Sequence, residues 1–178
     1  LSMYHVHEKT GPILSPSEIL EQFPETKRDL LRRANDLFPV RITRSWAKRM
    51  MSAGDAMGLQ VLPDPTEFET DETDVPDPVG ERFNRPLPWV VHKHPDRVLL
   101  LVTRRCHLYC RYCFRRDQHD AQEPSAEEMD AAMNYLRDSG AEELILSGGD
   151  PLTLSNRRLL SLIHRAGKIV PKIRVHTR

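Results

Sequence analysis

The sequence Val98-Leu-Leu-Leu-Val102 leads, through Thr103-Arg-Arg105, into Cys106-His-Leu-Tyr-Cys110-Arg-Tyr-Cys113. The first segment is a continuous apolar run, which is typical of a parallel strand buried on both faces. The second contains all three cysteines of the 178-residue chain. Because folds built on parallel strands place their active sites where the strands end, this order predicts a reactive cysteine loop at the carboxyl edge of a sheet.

The spacing of the cysteines, C-x3-C-x2-C, suits a cubane 4Fe–4S cluster, because such clusters are held by cysteine sulfur. Cys106, Cys110 and Cys113 would ligate three irons and leave the fourth open to another molecule, as in reactive metal sites. An odd number of cysteines argues against a disulfide framework and suits a reducing compartment. A structural Cys3His zinc site, with His107 or His119 as the fourth ligand, is the alternative.

Composition excludes several classes of protein. Lys plus Arg and Asp plus Glu both number 26, so no net charge attracts the chain to nucleic acid or to a membrane. The apolar runs are too short to span a bilayer, and the amino terminus has no signal-peptide core. We therefore expect a cytoplasmic protein with no membrane partner and no nucleic-acid partner.

The chain divides by pattern into three parts. Residues 1–60 form an N-terminal helical region, with helices predicted after Pro16, over 24–38 and over 44–56. Residues 61–96 form a Pro-rich extended connection. Residues 97–178 form an α/β core.

Within that core, strands are predicted over 98–102, 143–147 and from 172 onward, with helices starting after Ser125 and at Asn156. Strands alternating with helices predict a parallel sheet of the (β/α) type, open or closed into a barrel. Three strands cannot close a barrel, so we expect an incomplete catalytic unit.

A second candidate site follows the second predicted strand. Ser147, Gly148, Gly149 and Asp150 end this strand at the same edge of the sheet as the cysteines. Glycines there permit close approach of a ligand, and their N–H groups can meet a carboxylate. Five arginines also flank the cysteines, of which one or two are expected to bind carboxylates: Arg104, Arg105, Arg111, Arg115 and Arg116.

These motifs resemble, in order and spacing, the lysine 2,3-aminomutase family of radical S-adenosylmethionine (SAM) enzymes. The family includes the enzymes that make the β-lysine attached to elongation factor P. The segments that carry the likeness are Phe38–Thr43, Asp77–Glu81, His92–Thr103, Cys110–Arg116, Leu146–Leu152 and Ile173–Arg178.

The resemblance implies roles for particular residues. The open iron would chelate SAM, Tyr112 would lie near its adenine, and the Ser147–Asp150 turn would cradle its amino group. A second cofactor, pyridoxal phosphate (PLP), is implied, with Lys93, His94 and Arg97 at its phosphate. Arg115 would bind the substrate carboxylate. No lysine of this chain matches the one that carries PLP in the family.

The implied activity is that of an isomerase converting L-lysine to β-lysine by a radical route. The substrate would be a free amino acid or a protein-bound lysine of the elongation factor P type. Whether the protein forms a homo-oligomer is left open by the sequence. Two alternatives remain. One is a radical SAM enzyme of another reaction class without PLP, and the other is a structural metal-binding module.

Overall fold

The computed structural model describes residues 13–21, 25–50, 56–118, 120 and 122–178. Its helices and strands, in chain order, are α1 (Pro16–Glu21), α2 (Glu25–Leu37), α3 (Arg44–Arg49), β1 (Val90–His94), β2 (Arg97–Thr103), α4 (Ala126–Asp138), β3 (Glu143–Gly148), α5 (Asn156–Ala166) and β4 (Lys172–Val175). No helix among these residues is long and apolar enough to cross a membrane.

The chain forms two compact units. The first unit comprises Leu1–Val75 and His107–Asp117, and the second comprises Pro76–Cys106 and Gln118–Arg178. This division differs from the three parts expected from sequence pattern. The segment that follows Cys106 groups with the helical region, although it lies between two strands of the sheet along the chain.

The second unit is built on one sheet with the strand order β1-β2-β3-β4. β2 pairs in parallel with β3, and β3 with β4, which confirms the predicted α/β fold with parallel strands. The apolar residues of β2 and β3 are buried except for Leu99, which is half-buried, so the continuous apolar runs predicted these strands well.

β1 is a strand that the sequence analysis did not predict. It pairs antiparallel with β2 through a tight turn at Pro95-Asp96. The prolines around this segment indicated an extended connection, but the β-branched pair Val90 and Val91 is buried in the core. Local pattern could not show that β2 had a free edge to receive it.

The two helices of the second unit begin and end where local signals placed them. Ser125 and Glu128 form a capping box at the start of α4. Gly140 follows α4 with a φ of +70°, a left-handed conformation that favours glycine. α4 and α5 pack with the sheet in one apolar core that includes Met133, Leu146 and Leu162.

The first unit has its own smaller core, made by Leu14, Ile19, Leu31, Val40, Ile42, Val61 and Leu62. α2 confirms the helix predicted over 24–38, since it runs from Glu25 to Leu37. α3 ends at Arg49, because Met50 has an extended backbone, so the helix is shorter than expected there. Residues 51–55 of the predicted helix lie outside the described part of the chain.

Candidate active site

The carboxyl ends of β2 and β3 lie side by side in the second unit. Thr103, the last residue of β2, pairs with Gly148, the last residue of β3. Arg104, Arg105 and Cys106 follow Thr103 directly. The structure therefore places the first cysteine just beyond the edge where the sequence predicted a reactive loop.

The Gly148-Gly149 turn packs against the residues that lead to Cys106. The Gly149 N–H donates a hydrogen bond to the carbonyl of Thr103 (2.6 Å), and the Asp150 N–H donates to the carbonyl of Arg105 (2.8 Å). These two N–H groups thus serve the fold, whereas the sequence analysis offered the N–H groups of Gly148 and Gly149 to a ligand carboxylate. That interpretation is corrected for Gly149, because its N–H already bonds the carbonyl of Thr103.

Both glycines of the turn are required by this close packing. A Cβ at Gly148 would lie 2.2 Å from the carbonyl oxygen of Thr103, and Gly148 has a φ of +123°. A Cβ at Gly149 would lie 2.3 Å from the carbonyl oxygen of Arg105. The backbone of the turn consequently lies in van der Waals contact with the backbone before Cys106. A side chain at either glycine would prevent this close contact.

Asp150 connects the ends of β3 and β4. Its carboxylate accepts hydrogen bonds from the Leu152 N–H (2.9 Å) and from the Thr177 hydroxyl (2.6 Å). Ser147, by contrast, is buried within β3. The four residues of the Ser147–Asp150 turn therefore lie together at the carboxyl edge of the sheet, as predicted.

The first unit holds the segment that carries Cys110 and Cys113. The Cys113 N–H donates to the carbonyl of Cys110 (3.0 Å), so the C-x2-C pair forms a tight turn. The Tyr109 N–H donates to Arg41 and the Arg111 N–H to Gln60, at 3.0 and 2.9 Å. Backbone hydrogen bonds on both sides of Cys110 thus attach this segment to the helical region.

Arg111 strengthens that attachment with its side chain. Its guanidinium makes two hydrogen bonds to the carboxylate of Glu67, at 3.0 and 2.7 Å, and donates to the carbonyl of Phe38 at 2.8 Å. The Arg111 side chain is 6% exposed. A buried arginine needs a paired carboxylate, and Glu67 supplies it.

The charge of Glu67 is held by its surroundings. Burial by itself raises the pKa of the Glu67 carboxyl. The hydrogen bonds and the positive charge of Arg111 lower this pKa, as do the Asp64 backbone N–H and the charge of Arg116, and together they outweigh the effect of burial. The net pKa lies below the ordinary value of 4.5. Glu67 is therefore ionised wherever the fold is intact near neutral pH.

The three cysteines are half-buried, and none forms a disulfide. Burial raises the pKa of the Cys113 thiol, and the neighbouring Cys110 adds to this effect. Within the described residues, no group of three or more His, Cys, Asp or Glu side chains is gathered closely enough to hold a metal ion. The assignment of the cysteines as iron ligands stays a prediction, based on their spacing.

Two further predicted residues flank Cys113 in the first unit. Tyr112 is 68% exposed, so its ring is accessible to a ligand. The Arg115 guanidinium carbon lies 4.7 Å from the centre of the Phe114 ring, a cation–π distance. His119, one of the candidate zinc ligands, lies outside the described residues.

The residues predicted to hold the PLP phosphate lie elsewhere in the second unit. Lys93 and His94 end β1, and Arg97 begins β2, so all three lie at the amino end of β2. The Lys93 ammonium donates to the carbonyl of Val79 (2.8 Å), and Arg97 pairs with Asp96 (2.7 Å). β2 is seven residues long, so about 20 Å separates this end from the glycine turn. The structure does not bring the two groups together.

Sequence reasoning placed Arg111 among five arginines of which one or two were expected to bind carboxylates, but it missed the pairing with Glu67 and gave Glu67 no role. The partners are 44 positions apart, and the acidic run around Glu67 looks like a solvated loop. The one usable signal was Arg111 itself, an arginine enclosed between two cysteines.

Several known proteins are similar to this chain in sequence. Residues 100–178 match the radical SAM superfamily. The L-lysine 2,3-aminomutase of Buchnera aphidicola is 31% identical over 97% of this chain and 54% of its own length. Those of Clostridium subterminale and Bacillus subtilis are 37% and 32% identical, over 65% and 85% of this chain and 28% and 33% of their own lengths.

The chain thus spans about half the length of the Buchnera relative and less of the other two. The aligned region includes the cysteine segment, β3 and β4. These likenesses support the expected set of cofactors: a 4Fe–4S cluster, SAM and PLP. Residues 100–178 therefore resemble the radical SAM superfamily, and nearly the whole chain is similar to part of an L-lysine 2,3-aminomutase.

Proposed function

We propose that this chain carries the cluster-binding and SAM-binding part of an amino acid 2,3-aminomutase that converts L-lysine to β-lysine in the cytoplasm. The observation that carries the proposal is the arrangement at the end of β2. There the glycine turn of β3 holds Thr103 and Arg105 by two backbone hydrogen bonds, directly before the cysteine motif. The reaction and the substrate are those by which the relatives are named.

The donor set fits an iron–sulfur cluster. Three thiols at C-x3-C-x2-C spacing match the sulfur ligation that such clusters need, and they leave one iron for SAM. When bound, the cluster supplies the electron that cleaves SAM and starts the radical rearrangement. The protein contributes Cys106, Cys110 and Cys113 as ligands, and two separate sets of hydrogen bonds that hold the chain on either side of them.

Residues next to the cysteines would complete the SAM and substrate sites. The exposed ring of Tyr112 is available to stack with adenine. Arg115 can bind a substrate carboxylate with two parallel hydrogen bonds, and the Phe114 ring orients its planar guanidinium. The Ser147–Asp150 turn can offer its carbonyl oxygens to an amino group, since Gly149 and Asp150 have already used their N–H groups.

PLP fits the described residues less well. PLP supplies, when bound, the aldehyde that carries the migrating amino group. At the amino end of β2 the phosphate would meet Arg97 already paired with Asp96, and Glu143 is the residue opposite Arg97 on β3. Two carboxylates beside one arginine disfavour a phosphate there, so we derive no step through Lys93, His94 and Arg97.

Anaerobic reconstitution with iron and sulfide tests the cluster. We expect about four irons and four sulfides per chain in the wild-type protein, and loss of both when Cys106, Cys110 or Cys113 is changed to Ser. His107→Ala is the control, because it should leave the iron content unchanged if iron is held by thiolates alone. One tightly bound zinc without acid-labile sulfide, lost in the His107 variant, would establish the structural metal-binding module instead.

Electron paramagnetic resonance tests the SAM site. SAM should change the spectrum of the reduced cluster in the wild-type protein, and Tyr112→Leu should weaken this response without lowering the iron content. Phe114→Leu is the matched control, since Phe114 is also an exposed aromatic residue next to Cys113. A spectrum that SAM leaves unchanged would contradict the proposal.

The aminomutase reaction distinguishes the proposal from a radical SAM enzyme of another class. The protein is assayed for β-lysine with SAM, PLP and a reductant, using either free L-lysine or elongation factor P as substrate. Arg115→Lys should raise the KM for the substrate about ten-fold or more. The ammonium group introduced at position 115 cannot donate two parallel hydrogen bonds to the substrate carboxylate as a guanidinium does. Consumption of SAM without β-lysine from either substrate would favour the other reaction class.

The PLP assignment can be tested by itself. If Arg97 holds the phosphate, Arg97→Ala should weaken PLP binding, measured by the cofactor's absorbance, while Arg174→Ala should not. Arg174 is the matched control because it lies at the same end of the sheet and pairs with Glu143. Equal PLP binding in both variants would remove Arg97 from the site.

A further inference from the structure

We infer that Arg104 is a positioning residue that joins the two ends of the cysteine-bearing segment within the second unit. This inference rests on the proposed function for its consequence, but not for its geometry. The chain leaves the second unit after Cys106 and returns at Gln118. Arg104 lies two residues before the exit, and it contacts residues shortly after the return.

Arg104 makes three hydrogen bonds to the returning chain. Its backbone N–H donates to the carbonyl of Gln122 (2.8 Å). Its Nη1 donates to the Oδ2 of Asp120 at 2.6 Å and to the side-chain oxygen of Gln122 at 3.4 Å. Asp120 is itself oriented, because its other carboxylate oxygen accepts from the Gln122 N–H at 3.1 Å.

The guanidinium of Arg104 also lies over the ring of Trp89, with its central carbon 4.9 Å from the ring centre. Trp89 is buried, and its carbonyl accepts a hydrogen bond from the Leu101 N–H of β2. The tryptophan therefore offers Arg104 a fixed flat surface that belongs to the sheet. Stacking and ion pairing together hold the planar group in one orientation.

The exposure of Arg104 shows that this is more than a surface ion pair. Its side chain is 21% exposed, and its Nε is buried without a hydrogen-bond partner. A buried donor left unpaired costs free energy, so the remaining contacts of this arginine must outweigh that cost. Lysine at this position would keep the charge but lose the planar stack and the second hydrogen bond.

Joining the two ends affects what lies between them. Holding the ends of a segment together removes much of the conformational freedom that a metal site would otherwise have to restrict. The glycine turn of β3 fixes Thr103 and Arg105 from one side, and Arg104 fixes Asp120 and Gln122 from the other. Arg104 consequently limits how far the ligands of a bound cluster can separate.

The test compares two variants of the second unit. Each variant loses one salt bridge in which the arginine nitrogen lies 2.6 Å from the carboxylate oxygen. Arg104→Gln breaks the contact with Asp120, and Arg165→Gln breaks the contact of Arg165 with Asp130 on the neighbouring helix α4. Each protein is reconstituted with iron and sulfide, and the loss of its cluster to a chelator is followed by absorbance. We expect loss about ten-fold faster than wild type for Arg104→Gln and unchanged loss for Arg165→Gln.

Two further variants show whether geometry or charge is responsible. Arg104→Lys should restore only part of the cluster's resistance to the chelator, and Trp89→Leu should accelerate cluster loss while leaving the charge pair intact. The spectrum of the reduced cluster should shift in Arg104→Gln and stay unchanged in Arg165→Gln. Full rescue by lysine, or equal cluster loss in the two glutamine variants, would overturn the inference.

Hydrogen exchange on the cluster-free protein tests the geometry independently. Arg104→Gln should increase exchange of the amides of Arg104 and Gln122, whereas Arg165→Gln should not. If wild-type protein takes up no iron, the proposed function fails, yet this exchange measurement still decides whether Arg104 joins the two segments. Unchanged exchange in both variants would refute the inference even if the cluster forms.

Discussion

The two units attach the cysteine motif by different physical means. In the second unit, the residues before Cys106 are held by backbone hydrogen bonds from a glycine turn. The donors are backbone N–H groups and the acceptors are backbone carbonyls, so no side chain takes part in these bonds. In the first unit, the segment with Cys110 and Cys113 depends also on a buried side-chain pair, Arg111 with Glu67. The first attachment is sensitive to added volume, and the second is sensitive to lost charge.

Each unit contains one tryptophan, which allows the two to be followed separately. Trp46 lies in the first unit and Trp89 in the second, and the chain has only these two. In a Trp46→Phe background, fluorescence during urea unfolding reports the second unit. In a Trp89→Phe background it reports the first. All of the stability predictions below use this pair of backgrounds.

The largest effect is expected from added volume at the glycine turn. Gly149→Ala should destabilise the second unit by about 3 kcal/mol, because its Cβ would lie 2.3 Å from a backbone oxygen that cannot move aside easily. Gly140→Ala is the control. It has a φ of +70° but nothing within 4 Å of its Cβ, so about 1 kcal/mol is expected. Equal losses would mean that the turn does not pack as described.

Loss of charge in the first unit should have the next largest effect. Glu67→Gln leaves Arg111 buried with a weaker partner, so we expect a loss of about 2 kcal/mol in the unfolding free energy of the first unit. The exposed neighbour Glu69 provides the control variant, Glu69→Gln, for which a change below about 0.5 kcal/mol is expected. A comparable loss in the second unit would show that the two attachments are not independent.

The contribution of Glu67 should also depend on pH. Its pKa in the folded protein lies below 4.5, its ordinary value, so the stability that it provides is fully present above about pH 4.5. That stability is lost as the pH falls through the folded pKa. The difference in unfolding free energy between wild type and Glu67→Gln should therefore shrink below pH 4.5. A difference that stays constant from pH 7 to pH 3 would contradict the ion pair.

The smallest effect concerns a local signal within the second unit. Ser125→Ala removes the side chain that accepts from the Glu128 N–H at the start of α4, and about 1 kcal/mol should be lost. Ser161→Ala, on the exposed side of α5, should change stability by less than about 0.5 kcal/mol. If Ser125→Ala and Gly149→Ala lowered the unfolding free energy equally, the close packing of the glycine turn would contribute no more to stability than a single helix cap.

Much of the second unit was predictable because its signals are local. The apolar runs of β2 and β3, the capping box at Ser125 and the glycine at 140 each depend on residues within a few positions of one another. The strands and helices they predicted are those of the structure. The cysteine spacing and the glycine turn were equally local, so the edge of the sheet that carries the candidate site was predicted as well.

β1 and the side-chain pairs were not predictable in the same way. β1 depends on an open edge of β2, and Arg111 pairs with a glutamate 44 positions earlier. Arg104 finds Asp120 and Trp89 only because the chain returns to the sheet after the cysteine segment. None of these partners is marked by a periodic pattern or by a neighbouring residue.

The sequence by itself therefore determined the order of the parallel strands and of the helices between them, the spacing of the thiols and the place of the glycine turn, since each is specified by neighbours along the chain. Only the tertiary structure decided what those glycines are for. They let the turn pack closely against Thr103 and Arg105, and the Gly149 N–H holds the carbonyl of Thr103 instead of a ligand. It also decided which charges are paired, because electrostatic energy depends on distance and burial, and these arise only when distant segments pack together.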